Sequence, residues 1–255
     1  MPRRIKRFGW IPDLPDARDH IYSAPVPTLM TLPLSVDLRP ACPAVLDQGQ
    51  LGSCTANAIA NAHLFDQMKQ ASASPFAPSR LFIYYNERVM EHTASEDAGA
   101  MLRDGIKSIA KQGVCPERQW KYSPSKFAQK PPAACFTAAL DHQAVSYQRL
   151  PQTLLQMKGC LATGYPFVFG FTVYESFESA RTAETGVANL PRPSEHVVGG
   201  HAVLAVGFQD AQQRFIVMNS WGSGWGDEGC FTIPYAYLTD DNLSADFWTV
   251  RVVEV

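Results

Sequence analysis

Gln48-Gly49-Gln50-Leu51-Gly52-Ser53-Cys54-Thr55-Ala56-Asn57-Ala58-Ile59-Ala60-Asn61-Ala62-His63-Leu64-Phe65 is a glycine-containing loop that turns into an apolar, alanine-rich helix at a cysteine. Ser53 stands near the helix cap. A cysteine at that point feels the positive end of the helix dipole, which favours its thiolate. The many alanines let neighbouring elements approach closely, so this helix is expected in the interior. Gln48, six residues upstream, can aim its side-chain amide at the same point and donate to a developing oxyanion.

Two further helices are expected, over Ser79–Glu91 and over Met101–Gln112, the latter ended by Gly113. Residues Pro116–Pro132 read as irregular. After about residue 140 the pattern changes to short apolar runs bounded by Gly, Asp and Gln. These runs are Pro166–Phe171, Ala202–Phe208 and Arg214–Met218, and they read as buried strands, with Asp210–Gln213 a hairpin loop. A helical first half and a strand-rich second half indicate an α+β protein of two lobes, with a pocket at their junction. His201 opens one strand and Asn219 closes another. Taken singly, each has a plain structural reading: a strand histidine bonded to a backbone carbonyl, a strand-end asparagine, and for Gln48 a turn residue. Taken together with Cys54 they supply a nucleophile, a base, a residue that fixes the base's tautomer and an oxyanion donor.

These residues fall in blocks that resemble the papain family of cysteine peptidases. The blocks are Leu32–Arg39, Gln48-Gly49-x-x-Gly52-Ser53-Cys54, Gly200-His201-Ala202-Val203, and Asn219-Ser220-Trp221-Gly222-x-x-Trp225-Gly226-x-x-Gly229. His201 and Asn219 follow Cys54 at close to the roughly 130–150 residues usual for that family. The resemblance covers about residues 32–250. It implies a papain-like two-lobed fold: a helical lobe over about 45–135 whose central helix starts at Cys54, an antiparallel β-barrel-like lobe over about 140–250, and a cleft between them. It implies that Cys54 is the nucleophile, His201 the general base and acid, and Asn219 the orienting residue. Gln48 and the Cys54 backbone N–H would form the oxyanion hole, and Trp221 would shield the Asn219–His201 bond. Gly99 is expected to pair with substrate backbone. Ala100, Met101, Gly170, Gly200 and Ala202 are expected around the substrate, with small apolar walls that imply Leu, Val or Phe as the second residue before the cut.

The reading is thus a cysteine endopeptidase acting through a thioester acyl-enzyme on peptide or protein substrates. A transferase on the same scaffold, with an amine resolving the acyl-enzyme, is one rival. A non-catalytic binding protein of the same fold is another. Leu51 stands where many relatives carry a cysteine and Thr55 where they carry a tryptophan, which suits a prokaryotic branch and removes a disulfide beside the nucleophile.

Composition agrees. Of 255 residues 46% are hydrophobic and 18% charged, with a net charge of −2, so nothing electrostatic calls for nucleic acid or a membrane surface. The expected protein is a monomer without cofactor. His196 and His201 lack a third ligand, so no metal is expected. The basic start Met1–Arg7 is followed by no continuous apolar segment, which reads as no signal peptide and a cytoplasmic or unconventionally secreted protein. Cys42, Cys115, Cys135, Cys160 and Cys230 read mostly as buried thiols in a reduced compartment. Residues 1–31, ahead of a peptidase domain at 32–255, are rich in proline yet carry Trp10, Ile11, Leu14, Ile21 and Tyr22. Such an arm forms no stable helix and is too apolar for a solvated tail. It is expected to lie on the protein, as a short inhibitory pro-segment over the cleft (a zymogen) or as a brace.

Overall fold

The computed structural model describes residues 8–254, and the basic start Met1–Arg7 lies outside them. The strands are β1 (Trp10–Ile11), β2 (Ser35–Asp37), β3 (Ala100–Met101), β4 (Ala144–Arg149), β5 (Phe167–Tyr174), β6 (Val197–Gln209), β7 (Arg214–Met218), β8 (Cys230–Pro234) and β9 (Ser244–Val253). The helices are α1 (Val26–Met30), α2 (Cys54–Lys69), α3 (Arg80–Met90), α4 (Leu102–Lys111), α5 (Ala133–Ala139), α6 (Leu154–Ala162), α7 (Ala180–Thr185) and α8 (Tyr235–Thr239). The three expected helices and three expected strands are all present, with ends displaced by a few residues.

The large sheet runs β4-β9-β5-β6-β7-β8, with β2 paired to β6, and every pairing in it is antiparallel. It is an open sheet among the described residues, with β4 and β8 at its edges, and this corrects the barrel-like expectation. β6 explains why its sequence is a continuous apolar run. Val203 and Ala205 face an aromatic core with Phe167, Phe169, Phe171, Phe215, Phe231 and Phe247. Ala202, Leu204 and Val206 face the opposite way, into a core shared with Ala56, Ile59 and Ala60 of α2 and Leu102, Ile106 and Ile109 of α4. Strand side chains alternate in direction, so a strand covered on both faces loses its polar positions. Each large side chain so buried contributes about 1.5–3 kcal/mol. Cores on both sides of β6 fix α2, and therefore Cys54 at its first residue, against the strand that begins near His201.

Candidate active site

Cys54 is the first residue of α2 and is fully buried. Ser53 is the N-cap, but its hydroxyl makes no cap bond. It meets the Tyr122 hydroxyl at 2.6 Å and accepts from Asn57 Nδ2 at 3.1 Å. The helix entrance is thereby held from outside the helix. Backbone N–H groups of Ala202, Gly9 and Thr55 approach the Cys54 sulfur. Ala202 adjoins His201, so the β lobe touches the nucleophile; Gly9 belongs to the N-terminal arm. Burial pushes the Cys54 thiol from its ordinary 9.0 up to about 11, against the pull of those three N–H groups. Burial under the arm thus works against the thiolate that the helix dipole and a neighbouring imidazole led to expect.

His201 Nε2 lies 2.8 Å from Asn219 Oδ1, with both side chains buried. The ring sits among aromatic groups. Trp221 is 5.1 Å away between centroids, Phe171 5.8 Å and Phe8 of the arm 6.1 Å. Trp221 itself is held by Phe177 and Trp225. This cage excludes water from the His201–Asn219 bond, which strengthens it. The tautomer follows from the partner: an amide oxygen accepts, so Nε2 carries the hydrogen and Nδ1 is the nitrogen left for proton transfer.

Gln48 is held on every side. Its Nε2 donates to Leu51 O at 2.9 Å, and its Oε1 accepts from the Ser220 hydroxyl at 2.6 Å. Its backbone N–H donates to Ser220 O, and its carbonyl accepts from Tyr122 Oη. Ser220 follows Asn219, so one pair of residues locks the oxyanion loop to the base-orienting strand end. Nε2 has a second hydrogen beyond the one given to Leu51.

Asp97 joins the loop before Cys54 to α3. Its Oδ1 accepts from Gly52 N at 3.0 Å and from Tyr84 Oη at 2.7 Å, and Tyr84 Oη accepts from Gly99 N at 3.1 Å. The Gly99 amide is therefore committed to the body of the protein. Ala100 N donates to Gly9 O at 2.7 Å, as part of the parallel β1–β3 pair. In the cleft the arm pairs with the Ala100 amide, one residue beyond Gly99. Met101 N donates to Glu91 and Met101 aligns with Ile11. Gly170 and Gly200 lie under the Trp10 indole, and a Cβ on Gly170 would overlap it. Sequence reasoning did not find Tyr122, Tyr84, Asp97 or Asp246. Their roles come from partners between 13 and 236 positions away, which local patterns do not encode.

The arm fills the cleft and continues over both lobes. Asp13 accepts from the Arg103 backbone N–H and from the Trp248 indole, each at 3.0 Å. Asp19 pairs with Arg103 at 2.6 Å, with 2% and 6% of the two side chains exposed. Arg103 also donates to Leu14 O. All six cysteines are free thiols. Among the described residues no group of three or more His, Cys, Asp or Glu could hold a metal ion, and no helix is long and apolar enough to cross a membrane.

A family model described as papain family cysteine protease matches residues 32–239. An uncharacterized peptidase C1-like protein of Acanthamoeba polyphaga mimivirus is 44% identical, over 97% of this chain and 88% of its own. A cathepsin B-like protein of Giardia intestinalis is 29% identical over 79% of this chain and 69% of its own. Among solved structures, xylellain, a cysteine protease from Xylella fastidiosa, superposes with a TM-score of 0.93 at 41% identity, covering 99% of this chain and 98% of that one. A procathepsin B from Trypanosoma congolense, at 17% identity and a TM-score of 0.76 over 95% of this chain and 85% of its own, shares the fold.

Proposed function

Because the chain belongs to the papain family of cysteine proteases, and is thus a peptidase, we propose that it is an endopeptidase of the Cys54–His201–Asn219 type, restrained by its own N-terminal arm. The Cys54 thiol passes its proton to His201 Nδ1, and the sulfur attacks the scissile carbonyl. The tetrahedral oxyanion takes hydrogen bonds from the Cys54 backbone N–H and the second hydrogen of Gln48 Nε2. His201 returns the proton to the leaving amine, and a thioester acyl-enzyme remains. Water, deprotonated by His201, then releases the acyl group. Asn219 holds the ring in the required tautomer through both halves, and Trp221 keeps that contact dry.

Ala100 supplies the amide for the substrate backbone, and Met101, Gly170, Gly200 and Ala202 line the path. The arm competes for the same groups. The single observation that carries the restraint is Gly9: its N–H approaches the Cys54 sulfur while its carbonyl accepts from Ala100. A substrate carbonyl cannot reach a sulfur so covered. Burial of the sulfur under the arm, which disfavours the thiolate, supports the same reading, since the thiolate is the nucleophile.

Removal of residues 1–31 is expected to raise kcat/KM on a fluorogenic dipeptide at least tenfold, and Cys54→Ala in the truncated chain to abolish turnover. Unchanged activity in a truncated protein whose circular dichroism and melting remain cooperative would sink the restraint. Equal turnover with and without Cys54 would sink the mechanism.

A further inference from the structure

Thr55, the residue after the nucleophile, sends its hydroxyl to a carboxyl group. Thr55 Oγ1 donates to Glu87 Oε2 at 2.8 Å, linking the first turn of α2 to α3. Glu87 is fully buried. Its other oxygen, Oε1, has no hydrogen-bond partner among the described residues. α4 makes room for that oxygen at Gly105, where a Cβ would stand 2.4 Å from it. A glycine inside a helix costs stability, and so does a carboxyl group buried with an oxygen unpartnered. Both costs fall at one point, against the residue that follows Cys54.

The groups around Glu87 do not neutralise it. Arg88, its neighbour on α3, gives its guanidinium to the backbone carbonyls of Tyr84, Ala94, Glu96 and Phe127. Glu91 on the same helix and Asp104 on α4 are acidic, and α2 presents the Cys54 sulfur. Burial raises the Glu87 carboxyl most. The Thr55 hydrogen bond and Arg88 draw it back in part, Glu91 and Asp104 add to the rise, and it stands at about 8. Burial therefore favours the neutral acid. The charge, once formed, reaches the nucleophile, where it opposes ionisation of the thiol.

Resting on Cys54 as the nucleophile of the peptidase reading, we infer that Glu87 is a positioning residue with two settings, acting on the sulfur through Thr55. As a neutral acid it holds Thr55, and with it the N–H that approaches the sulfur, without opposing the thiolate. As a carboxylate it keeps the same hydrogen bond but sets a second negative charge behind the sulfur. In a buried, weakly screened interior two like charges repel strongly. Loss of one proton from Glu87 thus lowers the share of Cys54 present as thiolate and sets an alkaline limit on the nucleophile.

The test is the rate of Cys54 alkylation by iodoacetamide in the full-length chain, read by peptide mass mapping from pH 6.5 to pH 9.5. Glu87→Gln keeps an acceptor for Thr55 and cannot ionise. The ratio of its rate to the wild-type rate cancels both the opening of the arm and the titration of His201. That ratio is expected to be constant below pH 7 and to rise by about fivefold or more at pH 9.5. A carboxyl group with a structural role alone would change the rate by one factor at every pH. A constant ratio, or a falling one, therefore overturns the inference. Thr55→Val gives a second measurement that does not depend on Glu87→Gln folding. It keeps the side-chain shape and removes the hydrogen bond that favours the carboxylate, so Glu87 should hold its proton to higher pH. The ratio of the Thr55→Val rate to the wild-type rate should then be about twofold higher at pH 8.5 than at pH 7. The same ratio at both values would assign the alkaline limit to another group and overturn the inference. Neither readout requires a peptide to be cleaved, so a failure of the peptidase reading and a failure of this inference show separately.

Discussion

The stretch Phe8–Trp10 meets the cleft through shape and neutral-donor hydrogen bonds, whereas Asp13–Ala24 meets the two lobes through ion pairs as well. Gly9 lies on the Gly52 carbonyl and under Gly99, and Phe8 packs on Gly199 and near the His201 ring. No ion pair holds this part among the described residues. Farther along, Asp19 is shared by Arg103 and Arg149, Tyr22 N donates to Arg149 O while Arg149 N donates to His20 O, and Ala24 N donates to Gln156 at 2.7 Å. Obstruction and attachment are thus separate jobs in adjacent residues. An arm built this way can release the cleft without leaving the protein, because lifting three residues breaks none of the buried ion pairs.

The attachment should give the largest energetic effect. Arg103 and Asp19 are both buried, and Asp19 would keep only the longer Arg149 contact if Arg103 were removed. Loss of one partner of a buried pair costs about 3–5 kcal/mol. Arg103→Ala should lower the urea midpoint accordingly, with Asp19→Asn as the milder companion. The more exposed pair of Lys107 with Asp16 belongs to the same stretch but should contribute less, because solvent screens it. If Arg103→Ala and a Lys107→Ala variant melt alike, the attachment does not rest on the buried pair.

The obstruction should break at a single atom. A Cβ on Gly9 would overlap the carbonyl of Gly52, backbone against backbone, with no flexible side chain to give way. Gly9→Ala is therefore expected to lift Phe8–Trp10 while Asp13–Ala24 stays in place. Cys54 alkylation should rise roughly a hundredfold, equivalent to about 2.7 kcal/mol of lost docking, at nearly unchanged urea stability. A parallel fall in stability would mean that the two stretches dock as one unit.

The same contrast explains what a reader of the sequence alone can and cannot see. Cys54 at the head of α2, His201 and Asn219 at strand ends, and the apolar arm without helix potential all follow from local composition and order. The chemical constellation was legible for that reason. The pairing of the arm with the Ala100 amide was not, because Tyr84, on a different helix, captures the Gly99 amide. Nor was Asp246, which reads as one acidic residue inside the apolar run Ser244–Val253 and acquires its meaning from Trp10, 236 positions earlier. β4 and β9 escaped notice on similar grounds. Most of β4 is half-exposed at the sheet edge, and β9 is interrupted by that aspartate, so neither shows a clean alternation. The open sheet has the same origin: edge closure is a property of register, which no single segment carries.

The junction between the two stretches carries the smallest and most diagnostic effect. Asp13 and Asp246 meet there, with Arg103, Arg149, Asp19 and the Trp248 indole around them. Burial, then the neighbouring Asp246 charge, raises the Asp13 carboxyl from 3.8 to about 6. The docked arm therefore holds a proton that the released arm gives up. Docking gains from that proton below about 4, and the gain is lost as pH rises through about 6. This sign runs against simple acid release. Asp13→Asn removes the dependence. The ratio of wild-type to variant Cys54 alkylation rates, in which thiol ionisation cancels, should rise roughly tenfold between pH 4 and pH 7, whatever its starting value. A ratio that stays flat would mean the pair shares no proton in the docked state, and a ratio that falls would mean that acid opens the cleft after all.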